Sequence, residues 1–187
     1  MKKFIIFACL FVLTNCTRSL PTSFYNLSSD FQNEKVNIVK NIKVYVKINS
    51  MPKYLDRPQI VTKKSEVELE ISEFNRWASP LIDNLEEVIK NDLVNTSNKI
   101  EIVNEISYNK KSDYTIIIDV KDFGGKINET AVINVKYKIT NNLTDKTNFY
   151  EFNKQQPIST TYESLVTSLS DLTNKLAIKI AKEIKRN

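Results

Sequence analysis

The chain has 187 residues, 26% of them charged and 41% hydrophobic, with a formal charge of +5 and no histidine. That length suits one domain with a real core. The missing histidine removes the commonest general base and metal ligand, and single lysines scattered among Asp and Glu are unlike the clustered basic face of a nucleic-acid binder.

Residues 1–15 read as a signal peptide. Lys2 and Lys3 precede an apolar run of ten residues, Phe4 to Leu13. Crossing a bilayer takes about 20 apolar residues, so the run is too short to span and fits a secretory signal. It ends in Leu13-Thr14-Asn15-Cys16, which resembles the bacterial lipobox. In such signals the Cys thiol receives a diacylglycerol, the peptide is cut before the Cys, and the new amine is usually acylated. Asn15 stands where Gly, Ala or Ser is usual. Cys9 follows a better residue but leaves an apolar core of only five residues, so Cys16 is the expected lipidation site. The other reading is an ordinary secretory signal with a chance Cys. Residues 16–22 then form a lipidated tether and residues 23–187 a single domain. With Cys9 removed and Cys16 acylated, no disulfide is available, and packing alone must hold the fold.

The domain opens with SFYNL, residues 23–27, as a short strand. Residues 36–48 form a second, in which Ile42, Val44, Val46 and Ile48 share one face and Lys43, Tyr45 and Lys47 the wet one. Pro52 ends it and Pro58 marks a further break. Residues 59–63 and 66–72 read as a hairpin, with Val67, Leu69 and Ile71 opposite Glu66, Glu68 and Glu70. From Pro80 to Asn95 the period becomes helical, with Ser79 as the expected cap and Pro80 at the first helical position. Residues 99–103 return to strand. A long hairpin follows over residues 113–140, with Gly124-Gly125, the only glycines, placed near its turn, where positive φ costs glycine little. A turn at 141–144 leads to a third arm, 147–152. The chain closes with a long helix whose Thr160 and Glu163 have capping-box spacing. Its stripe of Leu165, Val166, Leu169, Leu172, Leu176, Ile180 and Ile184 must dock on the sheet. Lys179, Lys182, Lys185 and Arg186 suit a helix C-terminus. The expected class is α+β, a mostly antiparallel sheet against two helices.

Little here does chemistry. No nucleophile elbow or phosphate loop occurs, and two glycines cannot build a glycine-rich cofactor cradle. The carboxylates at Asp56, Glu66, Glu68, Glu70, Glu73, Glu86 and Glu87 have the spacing of solvated faces. The Asn-x-Ser/Thr triplets at Asn26, Asn95, Asn128 and Asn142 carry no meaning behind a bacterial signal. The chain is read as no enzyme, with no catalytic, metal or cofactor residues beyond the acyl anchor on Cys16. The remaining oddity is RWASPL, residues 76–81, which holds the only Trp. The plain reading has Trp77 filling the gap between helix start and sheet with Arg76 exposed. The sharper one makes Arg76 and Trp77 part of a partner surface, since both types are enriched at hot spots.

RWASPL followed by an amphipathic helix resembles the paraquat-inducible protein C (PqiC) family, the ABC-type transport auxiliary lipoproteins, also called the YmbA family. MPKYLDRPQIV, DYTIIIDVKDFGG and the closing YESLVTSLSDLTNKLAIKIAKEI are similar to other segments of that family, in the same order. The resemblance implies an outer-membrane lipoprotein facing the periplasm, since Thr17, and not Asp, follows Cys16. It implies an MCE-domain protein and ABC-type or integral-membrane components as partners in moving lipid or other hydrophobic cargo between membranes. A homo-oligomer is compatible with it. The expected docking residues are Tyr54, Leu55 and Arg57 together with Arg76 and Trp77. Alternatives are a lipid-carrying domain with cargo between helices and sheet, and an unrelated outer-membrane assembly lipoprotein.

Overall fold

A computed structural model of the chain describes residues 21–29, 34–104 and 112–186. In chain order the elements are β1 (Ser23–Tyr25), β2 (Ile42–Ser50), a 3₁₀ turn (Lys53–Leu55), β3 (Gln59–Lys63), β4 (Leu69–Trp77), α1 (Leu81–Thr96), β5 (Ile100–Ile102), β6 (Tyr114–Lys126), β7 (Thr130–Asn141), β8 (Lys146–Pro157) and α2 (Tyr162–Arg186). Among the described residues no helix is long and apolar enough to cross a membrane. The signal segment and Cys16 lie outside the described residues.

The strands form two sheets, one of order β5-β2-β6-β7-β8 and one of order β1-β4-β3. The α+β class holds, with antiparallel pairing dominant: β6–β7 and β7–β8 are long antiparallel ladders, and β3–β4 is antiparallel too. Parallel joins are shorter, β2 to β5, β2 to β6 and β1 to β4. Parallel neighbours need a crossover, and the one from β2 to β5 carries the whole β3–β4 hairpin and α1.

The core lies between the larger sheet and the two helices. Val44, Val46 and Ile48 of β2, Ile116, Ile118 and Val120 of β6, and Ile133, Val135 and Ile139 of β7 are buried, as their alternation predicts. The expected stripe of α2, from Leu165 to Ile184, is buried in full. At about 1.5–3 kcal/mol for each such side chain, this docking is a large stabilising term. Leu85, Val88, Ile89 and Leu93 complete the layer from α1, which packs directly on α2.

Several local expectations need correction. Gly124 and Gly125 are not turn residues: neither has positive φ, and both lie within β6. The left-handed residue of the turn is Asn128, at φ 64°. The glycines are there for space. A Cβ on Gly124 would sit 3.2 Å from the Val61 carbonyl oxygen of β3, and one on Gly125 would meet the Thr130 carbonyl. The smaller sheet thus crosses β6 where β6 has no side chain. The arm expected at 66–72 begins instead at Leu69 and runs to Trp77, and Val67 (96% exposed), Leu69 and Ile71 face solvent. Alternation there marks a strand with no helix against it. Ser79 does not cap α1: Pro80 is the cap residue, no side chain bonds there, and the Pro80 carbonyl accepts from the Asp83 and Asn84 N–H groups. The α2 cap is shifted by one residue, with Thr161 Oγ1 accepting the Ser164 N–H at 3.1 Å while Ser164 Oγ accepts the Ser159 N–H at 3.0 Å. Tyr45, placed on the wet face of β2, is buried. β2 itself starts at Ile42, and Val36 is held by a 3.0 Å bond from its N–H to the Thr96 carbonyl.

Candidate functional site

The segment between β2 and β3 is built to be rigid. Pro52 sets an extended φ/ψ before the 3₁₀ turn, and its carbonyl accepts the Leu55 N–H at 2.9 Å. The Asp56 N–H bonds the Lys53 carbonyl and the Arg57 N–H the Leu55 carbonyl. Two side chains then pin the turn inward. Leu55, 3% exposed, joins the main core. Tyr54 donates to Asp122 Oδ1 of β6 at 3.4 Å. Burial, then the Asp122 charge, raise the Tyr54 hydroxyl above its ordinary pKa, so it stays a neutral donor. Lys63 of β3 reaches the other Asp122 oxygen at 2.5 Å. Asp122 therefore ties both the turn and the smaller sheet to the larger one.

The far wall is the end of β4. The Trp77 N–H donates to the Pro58 carbonyl at 2.7 Å, and the Ala78 N–H to the Tyr25 carbonyl at 2.9 Å. Arg76 stands opposite Gln59 on one side and Phe24 on the other. Trp77 is 6% exposed and belongs to the core, which is the plainer of its two readings. Between turn and helix start lies a hollow of about 300 Å³, lined by Asp56, Arg57, Pro58, Trp77 and the residues 78–81 that lead into α1. A second hollow, about 340 Å³, opens on the other side of the turn beside Lys53 and Ile82.

The fold thus brings together two segments about twenty residues apart in the chain. Of the expected docking residues, Arg57 and Trp77 line one hollow, Arg76 neighbours it through Gln59, and Tyr54 and Leu55 hold the turn from beneath. Leu55 offers no surface of its own. Sequence reading missed Asp122; its place beside a break in the β6 register, between Val120 and Asp122, has no sequence signal. Cys16 falls outside the described residues, so its environment is not part of this geometry. Among the described residues no group of His, Cys, Asp and Glu is placed to hold a metal ion.

A family model for the ABC-type transport auxiliary lipoprotein component matches residues 25–181. Two solved structures share the fold. An uncharacterised protein is 21% identical, with a TM-score of 0.73 over 88% of this chain and 99% of its own. Protein XCC0632 from Xanthomonas campestris is 19% identical, with a TM-score of 0.70 over 88% of this chain and 95% of its own. No curated protein sequence matches the chain.

Proposed function

Because the chain belongs to the ABC-type transport auxiliary lipoprotein family, we propose that it is the moored docking piece of an MCE/ABC-type lipid transport system, holding an MCE-domain protein at the outer membrane. As a family member it is a non-catalytic auxiliary component of such a system, anchored at the outer membrane on the periplasmic side. Cys16 is the proposed anchor. Two or three acyl chains, at about 0.8 kcal/mol per buried CH₂, make release from the bilayer negligible. A tethered domain then meets its partner at high effective concentration without catalysing anything.

The proposed contact surface is the turn 51–58 together with Arg76 and Trp77. The observation that supports it is the double pinning of that turn, by Leu55 in the core and Tyr54 on Asp122. A surface fixed before binding loses little conformational entropy on docking. The carrier alternative places cargo between helices and sheet. That layer is occupied by Leu85, Ile89, Ile116, Ile133 and Leu169, all fully buried. Self-association of the moored domain is compatible with this role.

The test replaces Lys53, Asp56, Arg57 and Arg76 together by Ser, leaving Tyr54 and Leu55 to hold the turn. Co-purification with the MCE-domain partner is expected to be lost while the circular dichroism spectrum and membrane fractionation stay unchanged. Undiminished co-purification rejects this surface. Cys16→Ser is expected to release the mature chain into the water-extractable fraction, and intact mass is expected to show the wild type carrying acyl chains.

A further inference from the structure

The hollow contains a cation, Arg57, with no ion-pair partner among the described residues. Arg57 is partly buried, and its Nε is fully enclosed without a hydrogen-bond partner. No ion pair or side-chain hydrogen bond joins its guanidinium to any described residue. Buried guanidinium groups ordinarily meet an acceptor, because desolvating them otherwise costs free energy. Here the Nε donor is enclosed and uncommitted. Outside the hollow, Lys53 on the other side of the turn and Arg76 beside Gln59 also lack ion pairs among the described residues; Arg76 Nε reaches only the Glu73 carbonyl, at 3.5 Å. The hollow itself is lined by one cation, Arg57, and one carboxylate, Asp56. The remaining walls are Pro58, Trp77, Ala78, Ser79, Pro80 and Leu81, apolar but for the serine.

We infer that this hollow binds a carboxylate-bearing segment of a protein partner, an acidic side chain seated on the Arg57 fork with a flanking apolar residue against Trp77 and the prolines. This rests on the docking reading above. The planar guanidinium presents paired donors that match a carboxylate in two-point geometry. A volume of about 300 Å³ is at the small end of ligand pockets, roughly 300–1,000 Å³, which suits one or two side chains and not the acyl chains of a phospholipid. Arg and Trp are both among the residue types enriched at interface hot spots.

Trp77 is the only tryptophan, so its emission reports on this wall alone. The mature lipidated chain, in neutral detergent micelles, is titrated with two pools of acetylated and amidated tripeptides, Xaa-Glu-Xaa and Xaa-Gln-Xaa. The Glu pool is expected to shift the emission saturably, with half-saturation at least about ten-fold lower than the Gln pool, a gap of about 1.4 kcal/mol. Arg57→Gln is expected to erase that preference and Arg57→Lys to keep part of it. Equal responses to both pools, or no response, overturn the inference. So does a response to inorganic phosphate or phosphatidylglycerol vesicles without one to the Glu pool. If Arg57→Gln melts early, the two pools on wild type and on Arg57→Lys still decide. Co-purification of the MCE-domain protein with the wild type is followed in parallel: its failure alone, with Glu selectivity intact, sinks the docking reading and leaves the site standing.

Discussion

The two sheets carry the same apolar alternation and treat it differently. On β6 and β7 the row from Ile116 to Ile139 is sealed under α2. On the smaller sheet Leu69 and Ile71 alternate with Glu70, and Val67 in the bend before them extends the pattern, yet all three face solvent. Period two reports that a residue sits in a strand and says nothing about what lies against its face. What lies against the larger sheet is α2, whose stripe covers it. The smaller sheet is attached chiefly at one margin, where Lys63 meets Asp122 and the Val61 backbone passes over Gly124.

The contrast can be broken most sharply in the sealed layer. Leu169→Ala, at a fully buried site on α2, is expected to cost about 2–5 kcal/mol in denaturant unfolding. A loss below about 1 kcal/mol would mean that the helix layer is not what seals the sheet. Next comes a polar group in the same layer. Asp92 of α1 is fully buried, and burial lifts its carboxyl from 3.8 to about 6, opposed only in part by the side-chain amide of Asn174 of α2. A folded pKa above the unfolded one means that the native state binds more protons between those values. Its stabilising contribution is therefore complete below the unfolded pKa and is lost as pH rises through about 6. Asp92→Asn is expected to flatten that pH dependence and to melt above the wild type at pH 7; an unchanged pH profile would count against burial as the cause.

The seam between the sheets gives a smaller effect. Gly124→Ala sets a Cβ 3.2 Å from the Val61 carbonyl, with an expected loss of about 1–3 kcal/mol and faster amide exchange in β3. No change would show that the sheets are not held at this crossing. The smallest effect belongs to the open face. Val67→Thr and Ile71→Thr are each expected to stay within about 0.5 kcal/mol of wild type. A larger loss would show that a layer covers those residues.

The legible part of the fold was the part with a cover. The alternation on β2, β6 and β7 and the stripe of α2 were readable because each has one buried face. What escaped depended on neighbours remote in the chain. Glycines beside a turn look like turn residues, and only the passage of β3 over Gly124 and the close approach of β7 to Gly125 show that they make room for a backbone. Thr160 and Thr161 are indistinguishable as caps until the start of α2 is known. At the candidate site the residue types were readable in MPKYLDRPQ and RWASP, but not their roles. Leu55 looked like a contact and proves a plug, while the unshared charge of Arg57 appears only once its surroundings are in place.

β2 lies inside the larger sheet, flanked by β5 and β6, both synthesised later. A chain emerging N-terminus first therefore makes a strand whose two edges stay open until residues beyond 100 arrive. Such long-range pairing slows folding and leaves sticky margins uncovered in the meantime. A chain exported before it folds gains from such a delay, because a segment that cannot complete its sheet early also cannot jam a translocation pore.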